Sequence, residues 1–369
     1  MSSTRITKQK LSQKGALLLL ILMFAVIAVT TFVLVIIFGA PKSDFDETKA
    51  LENQVAETMA PPTEPITEAP TDPPPLVSYP SNAETFQQLD TQLDSSHAFL
   101  LDCETNEVLA CKGGADEKIY PASMTKIMTV VIAAEHIENW EDTFTMTSEI
   151  LEPLWADSAS MAGFAAGETV TMRDLMYGAA LPSGADATVA LALATAGSEE
   201  QFVQWMNDKV AELGLQNTHF VNTSGLHDEQ HYSTVTDIAL IMEYALMNDM
   251  AREVLSAVDY VTTKTEQHPE GIVLTSTMFN KMYGNEVQGI TIKGGKTGFT
   301  DEAGQCLASY AELPDGHRYI AVTSFGGNKW HPVFDSFKLY GIVTGTYPME
   351  ESEGTGDTSD AGAAVEPAA

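Results

Sequence analysis

Apolar and polar positions divide the chain into a folded centre and flanks that cannot bury a core. Within residues 86–348 the hydrophobic pattern changes character twice. The apolar runs 98–101 and 108–110, separated by Glu104-Thr105-Asn106-Glu107, predict an antiparallel hairpin. Apolar residues then recur at spacings of three and four, which predicts helices over 123–134, 172–180, 186–196, 199–213 and 235–251. After residue 270 the texture returns to strands, at 271–276, 289–293, 305–311 and 317–325, and an amphipathic helix over 332–343 closes the domain. Early and late strands must then pair across the helical insertion. The expected fold is α+β, an antiparallel sheet with flanking helices plus a helical lobe, and the cleft between sheet and lobe is the natural place for a site.

The flanks read differently. Residues 16–38 are an unbroken run of apolar side chains and threonine, long enough at about 1.5 Å per residue to cross a hydrocarbon core of roughly 30 Å. Residues 1–15 carry Arg5, Lys8, Lys10 and Lys14 and no acid, so this basic segment stays in the cytoplasm. A cleaved signal peptide fits less well, because Phe38 stands where cutting after Ala40 wants a small residue. The expectation is a single-pass transmembrane anchor at 16–38, with everything beyond it outside the cytoplasm. Residues 39–85 form an acidic linker with eight prolines between 61 and 80, and 349–369 form a disordered acidic tail.

Composition narrows the function classes. Net charge is −32, from 51 acidic and 19 basic residues spread along the chain. Phosphate backbones need clustered Lys and Arg, so nucleic acid is not an expected partner. Cys103, Cys111 and Cys306 make no even framework, and a turn at Thr105-Asn106 would set Cys103 opposite Val108, so they read as small unpaired side chains. No cofactor and no metal is expected. His227 and His231 are four apart, but Asp228 follows the first, and the stretch around Gly225 and Tyr232 reads as loop rather than as a zinc-binding helix. Gly295-Lys296-Thr297 could end a phosphate loop only with glycine at position 290, which is Ile290.

Three short stretches carry chemistry. In Tyr120-Pro121-Ala122-Ser123-Met124-Thr125-Lys126 a helix starts with Ser123 and Lys126 three apart, hence on one face. Held among apolar neighbours, Lys126 loses the solvation of its charged form and becomes a general base for Ser123. The plain alternative is a serine cap with a lysine reaching to solvent. Ser183, in Leu181-Pro182-Ser183-Gly184-Ala185-Asp186, sits between two helices, where a simple turn is the competing reading. Lys296-Thr297-Gly298, followed by Phe299, lies on or beside a late strand, and an ammonium with a hydroxyl there suits a substrate carboxylate.

Together these motifs resemble the low-molecular-weight D-alanyl-D-alanine carboxypeptidases, serine penicillin-binding proteins with a β-lactamase/transpeptidase-like fold. The resemblance extends to Asn222-Thr223-Ser224-Gly225-Leu226, His231-Tyr232-Ser233-Thr234 and Phe299-Thr300-Asp301-Glu302-Ala303-Gly304. It implies that Ser123 attacks the carbonyl between two terminal D-alanines of a peptidoglycan stem pentapeptide, with Lys126 as base. It further implies that Ser183 relays a proton, that Lys296 and Thr297 hold the terminal carboxylate, and that Gly298 and Phe299 border the substrate, Phe299 offering a backbone N–H with that of Ser123. β-Lactam antibiotics would be covalent inhibitors. One departure is Ala185, where the family commonly has asparagine. It leaves open a catalytically weak, membrane-tethered wall-binding protein beside the carboxypeptidase. A β-lactamase or esterase of the same fold is disfavoured because no Glu-x-x-x-Asn pair follows Ser183: four residues past Glu212 is Gln216.

Overall fold

The computed structural model describes residues 76–282 and 287–347. The segments 1–15, 16–38 and 349–369, and most of 39–85, lie outside the described residues. Among the described residues no helix is long and apolar enough to cross a membrane.

The chain begins with strand β1 (Ser81–Gln88) and the hairpin β2 (His97–Asp102) and β3 (Glu107–Lys112). Asp102 shapes the hairpin turn by accepting from the backbone of Glu104 at 3.0 Å and Thr105 at 3.1 Å. A 3-10 turn (Ala122–Thr125) then runs into α1 (Lys126–His136), whose residues Lys126 to Ala133 are all buried. An apolar all-round helix can only sit inside, and here the rest of the lobe packs about it. Next come β4 (Thr143–Thr145), α2 (Ser148–Ala156), β5 (Thr169–Thr171), α3 (Met172–Ala180), α4 (Ala185–Ala196), α5 (Glu199–Glu212), α6 (Val235–Met247) and α7 (Asp249–Ser256). Polar caps fix several starts: Thr171 and Asp174 form a capping box, and Ser198 and Thr234 accept from the third residue on. The ribbon strands β6 (Asp259–Val261) and β7 (Val273–Thr275) and the short α8 (Phe279–Met282) precede β8 (Thr291–Thr300), β9 (Gly304–Glu312), β10 (Arg318–Gly326) and α9 (His331–Thr344).

Six strands form the main sheet in the order β1-β3-β2-β10-β9-β8. β2 and β10 pair antiparallel, Phe99 opposite Val322, which closes the fold across the helical insertion as expected. Alternation along the strands sorts the two faces. Phe99, Leu101, Ile320 and Val322 join the core of the helical lobe. Leu100, Ala110, Tyr319 and Ala321 pack with Leu339 and Tyr340 of α9 on the other face. All three cysteines are free.

Four expectations need adjustment. The sheet is mixed, because β1 lies parallel to β3 at its edge. β1 starts at Ser81, inside the stretch read as linker up to residue 85, because an exposed edge strand as polar as Ser-Asn-Ala-Glu-Thr-Phe-Gln-Gln gives no hydrophobic alternation. The strand expected over 271–276 pairs only with β6, in a separate ribbon. The helix expected over 235–251 is two helices: the Asn248 side chain accepts from Met250 N at 3.0 Å and Ala251 N at 3.1 Å, starting a new helix there. Asn248→Ala is therefore expected to cost about 1 kcal/mol, seen as a lower urea midpoint at unchanged slope.

Candidate active site

The start of α1 meets β8 and a loop of the helical lobe at one cavity of about 270 Å³, lined in part by Ser123, Lys126, Ser160, Ser183, Lys281 and Thr297. Ser123 sits in the 3-10 turn, and Lys126 opens α1. The Nζ of Lys126 is 3.1 Å from Ser123 Oγ and donates to the Ser224 carbonyl at 2.6 Å. Lys126 is 1% exposed. Burial pulls its pKa down to about 7, and the charge of Asp186 acts weakly the other way. At neutral pH a large share of the amine is therefore uncharged, with a lone pair able to receive the Ser123 proton. The Ser224 carbonyl is aimed by an Asn222 turn, whose Oδ1 accepts from Gly225 N at 2.7 Å and Ser224 N at 3.2 Å. Gly225 has φ +80°, and a Cβ there would lie 1.9 Å from the Ala122 carbonyl oxygen. Only glycine fits that approach.

The second hydroxyl–amine pair faces the first. Ser183, buried with a left-handed φ of 68°, accepts from Lys296 Nζ at 2.9 Å. Lys296 also donates to the Thr297 carbonyl at 2.9 Å. Burial lowers its pKa well below the usual lysine value, and the charges of Lys126 and Lys281 lower it further. Thr297 Oγ1 lies 2.6 Å from Thr277 Oγ1. β8 is an edge strand of the sheet and comes close to the nucleophile: a Cβ on Gly298 would lie 3.0 Å from Pro121 O and 3.1 Å from Ser123 N. Phe299, next along, is exposed at the cavity rim. Ala185 also lines the cavity and donates its backbone N–H to Ser160 O at 2.7 Å. The buried Asp186 carboxylate accepts from Ala162 N at 2.7 Å, Gly163 N at 3.2 Å and Ala187 N at 3.0 Å, tying the rim loop to α4.

Every site residue named from sequence thus lines or borders one cleft. The strand carrying Lys296 is longer than expected, running through Thr300 rather than ending at 293. Sequence reasoning gave no role to the Ser224 carbonyl or to Thr277 and Lys281; the Asn222 and Gly225 pair was the available signal for the first. His227 and His231 do not converge. His227 Nδ1 lies 3.8 Å from a Glu302 oxygen, whereas His231 Nε2 is 2.7 Å from Thr125 Oγ1.

A serine against a buried lysine of lowered pKa, facing a hydroxyl and a strand lysine, is the constellation of serine enzymes that recognise penicillin. Residues 82–326 match the D-alanyl-D-alanine carboxypeptidase family, and the chain belongs to it. It is 33% identical over 236 residues to the D-alanyl-D-alanine carboxypeptidase DacF of Bacillus subtilis, covering 64% of this chain and 58% of that one. With DacA of Escherichia coli (strain K12) the identity is 32% over 242 residues, covering 64% and 57%. The chain thus spans less than two thirds of the length of these relatives. The crystal structure of the Streptomyces K15 DD-transpeptidase superposes with a TM-score of 0.62 at 27% identity, covering 70% of this chain and 99% of that one. Penicillin-binding protein 5 from Haemophilus influenzae gives 0.60 at 27%, covering 68% and 70%.

Because only the neutral amine can take the proton, the rate of Ser123 acylation by an activated ester is expected to rise with pH, bend near about 7 and level above it. Below the bend it should fall about tenfold per pH unit. A flat profile between about pH 5 and pH 9 would rule out Lys126 as the base.

Proposed function

We propose that this chain is a serine-type D-Ala-D-Ala carboxypeptidase that removes the terminal D-alanine from peptidoglycan stem pentapeptides. The observation that carries the reading is the 3.1 Å contact between Ser123 Oγ and the buried Lys126 amine. Lys126 takes the hydroxyl proton as Oγ attacks the carbonyl between the two D-alanines, a step in which a positioned base contributes roughly 10²–10⁴-fold. The backbone N–H groups of Ser123 and Phe299 receive the oxyanion, each worth about 3 kcal/mol of barrier if it behaves like other such donors. The close approach of Gly298 to Ser123 N supports that pairing. Ser183 passes a proton to the departing amine, and Lys296 with Thr297 holds the D-alanine carboxylate. Water then cleaves the acyl-enzyme. β-Lactams enter the same path and stop at the acyl-enzyme.

The run 16–38 and its basic flank support a single-pass anchor with the catalytic domain outside the cytoplasm. Ala185 favours a second reading, a wall-binding protein of low turnover, because a methyl group in the cavity wall replaces the amide that relatives commonly place there.

Incubation of the full chain with a fluorescent penicillin is expected to label it, and Ser123→Ala should abolish labelling. D-Alanine should also be released from a D-alanyl-D-alanine peptide. Labelling without release would favour the wall-binding reading, and an unlabelled wild type would remove Ser123 as nucleophile.

A further inference from the structure

The residue ahead of the nucleophile is strained, and part of its support comes from a distant loop. Ala122 takes a φ of 46° despite its side chain, a left-handed conformation that costs about 1–2 kcal/mol. Its carbonyl accepts from the Thr125 hydroxyl at 2.8 Å. Thr125 is fully buried and has one proton to give. With that proton on Ala122, the 2.7 Å contact between Thr125 Oγ1 and His231 Nε2 is a bond donated by the imidazole. The other ring nitrogen accepts from Val221 N at 3.2 Å, so the network selects the neutral Nε2–H tautomer. Burial, and then the charge of His219, hold this imidazole down to about 4, with Lys126 and His227 acting the same way and Asp228 against them.

We propose that His231 is a positioning residue for Ser123: by donating to Thr125 it fixes the Thr125 proton on the Ala122 carbonyl and holds the left-handed turn that delivers Ser123 Oγ to Lys126. The inference rests on Ser123 being the nucleophile. Without the imidazole donor the buried Thr125 oxygen lacks its partner and its proton is free to swing away. Ala122 can then relax toward the right-handed region, and Ser123, one residue on, turns with it. None of the three residues lies among those lining the cavity. The loss therefore falls on acylation and not on substrate affinity.

The test compares full-length wild type with His231→Phe, His231→Gln, Thr125→Val and the double variant His231→Phe/Thr125→Val. It reads the rate of labelling by a fluorescent penicillin, and kcat and KM for D-alanine release. Glutamine can place an amide N–H near the position of Nε2–H. His231→Phe and Thr125→Val are expected to lose about tenfold or more in labelling rate and kcat, with KM within about threefold of wild type. His231→Gln should stay within about threefold in all three, and the double variant should be no slower than the worse single one. Rates are taken from the time course of the fraction that labels, so misfolded protein lowers the amplitude and leaves the rate unchanged. Wild-type labelling rates in both His231→Phe and Thr125→Val would overturn the proposal. So would a His231→Gln variant as slow as His231→Phe beside a normal Thr125→Val. A wild type that does not label at all would instead take down the nucleophile assignment, and this inference with it.

Discussion

An amine that is to be partly uncharged near neutral pH needs burial and no contacting carboxylate, and Lys126 has both. Its contacts are a carbonyl and a hydroxyl, Ser224 O and Ser123 Oγ. The nearby acid, Asp186, spends its oxygens on the backbone N–H groups of Ala162, Gly163 and Ala187 and acts on the lysine only at a distance. The second buried lysine of the cleft, Lys296, is lowered by its own burial and then by the charge of Lys126. Burial of this order needs an apolar surround. The packing of α1 inside the helical lobe provides it.

That constraint explains where the backbone is strained. Ala122 and Ser183 both hold left-handed φ values, one directly before the nucleophile and one at the opposing hydroxyl. Ser123 and Lys126 share a face as residues three apart, while Ser183, between two helices, reaches Lys296 on β8 from its left-handed position. The left-handed residues re-aim the chain at a cost of about 1–2 kcal/mol each, and close packing offsets it. Gly225 and Gly298 matter in this setting because they let the loop and β8 come against the Ser123 turn without a Cβ in the way.

The residues with chemical side chains were legible in the sequence because each sits in a short local pattern: Ser123 with Lys126, Ser183 before a helix, Lys296 with Thr297. Their convergence was legible only through the hydrophobic pattern, since strand, helix and strand textures forced β2 and β10 to meet. What escaped notice has a common physical character. The Ser224 group that orients Lys126 is a backbone carbonyl, and a carbonyl leaves no mark in the identity of its residue. β1 escaped because a solvent-facing edge strand need not alternate. The break at Asn248 escaped because apolar spacing runs through it, and only the asparagine signals a cap.

Ala185 can be weighed in the same terms. An asparagine amide at that position would offer a donor and an acceptor to the cleft, one of them to the lysine. Here the lysine's orientation comes instead from Ser224 O at 2.6 Å, a contact set by the Asn222 turn and independent of residue 185. Ala185 retains its backbone bond to Ser160, so the rim loop keeps its place without the side chain. What the methyl group cannot do is hydrogen-bond a substrate amide. The Ser123 and Lys126 pair therefore keeps its geometry with a methyl group at 185, and that part of the cleft wall offers no side-chain hydrogen bond. The amine's orientation thus depends on the turn at Asn222 and not on the side chain at 185.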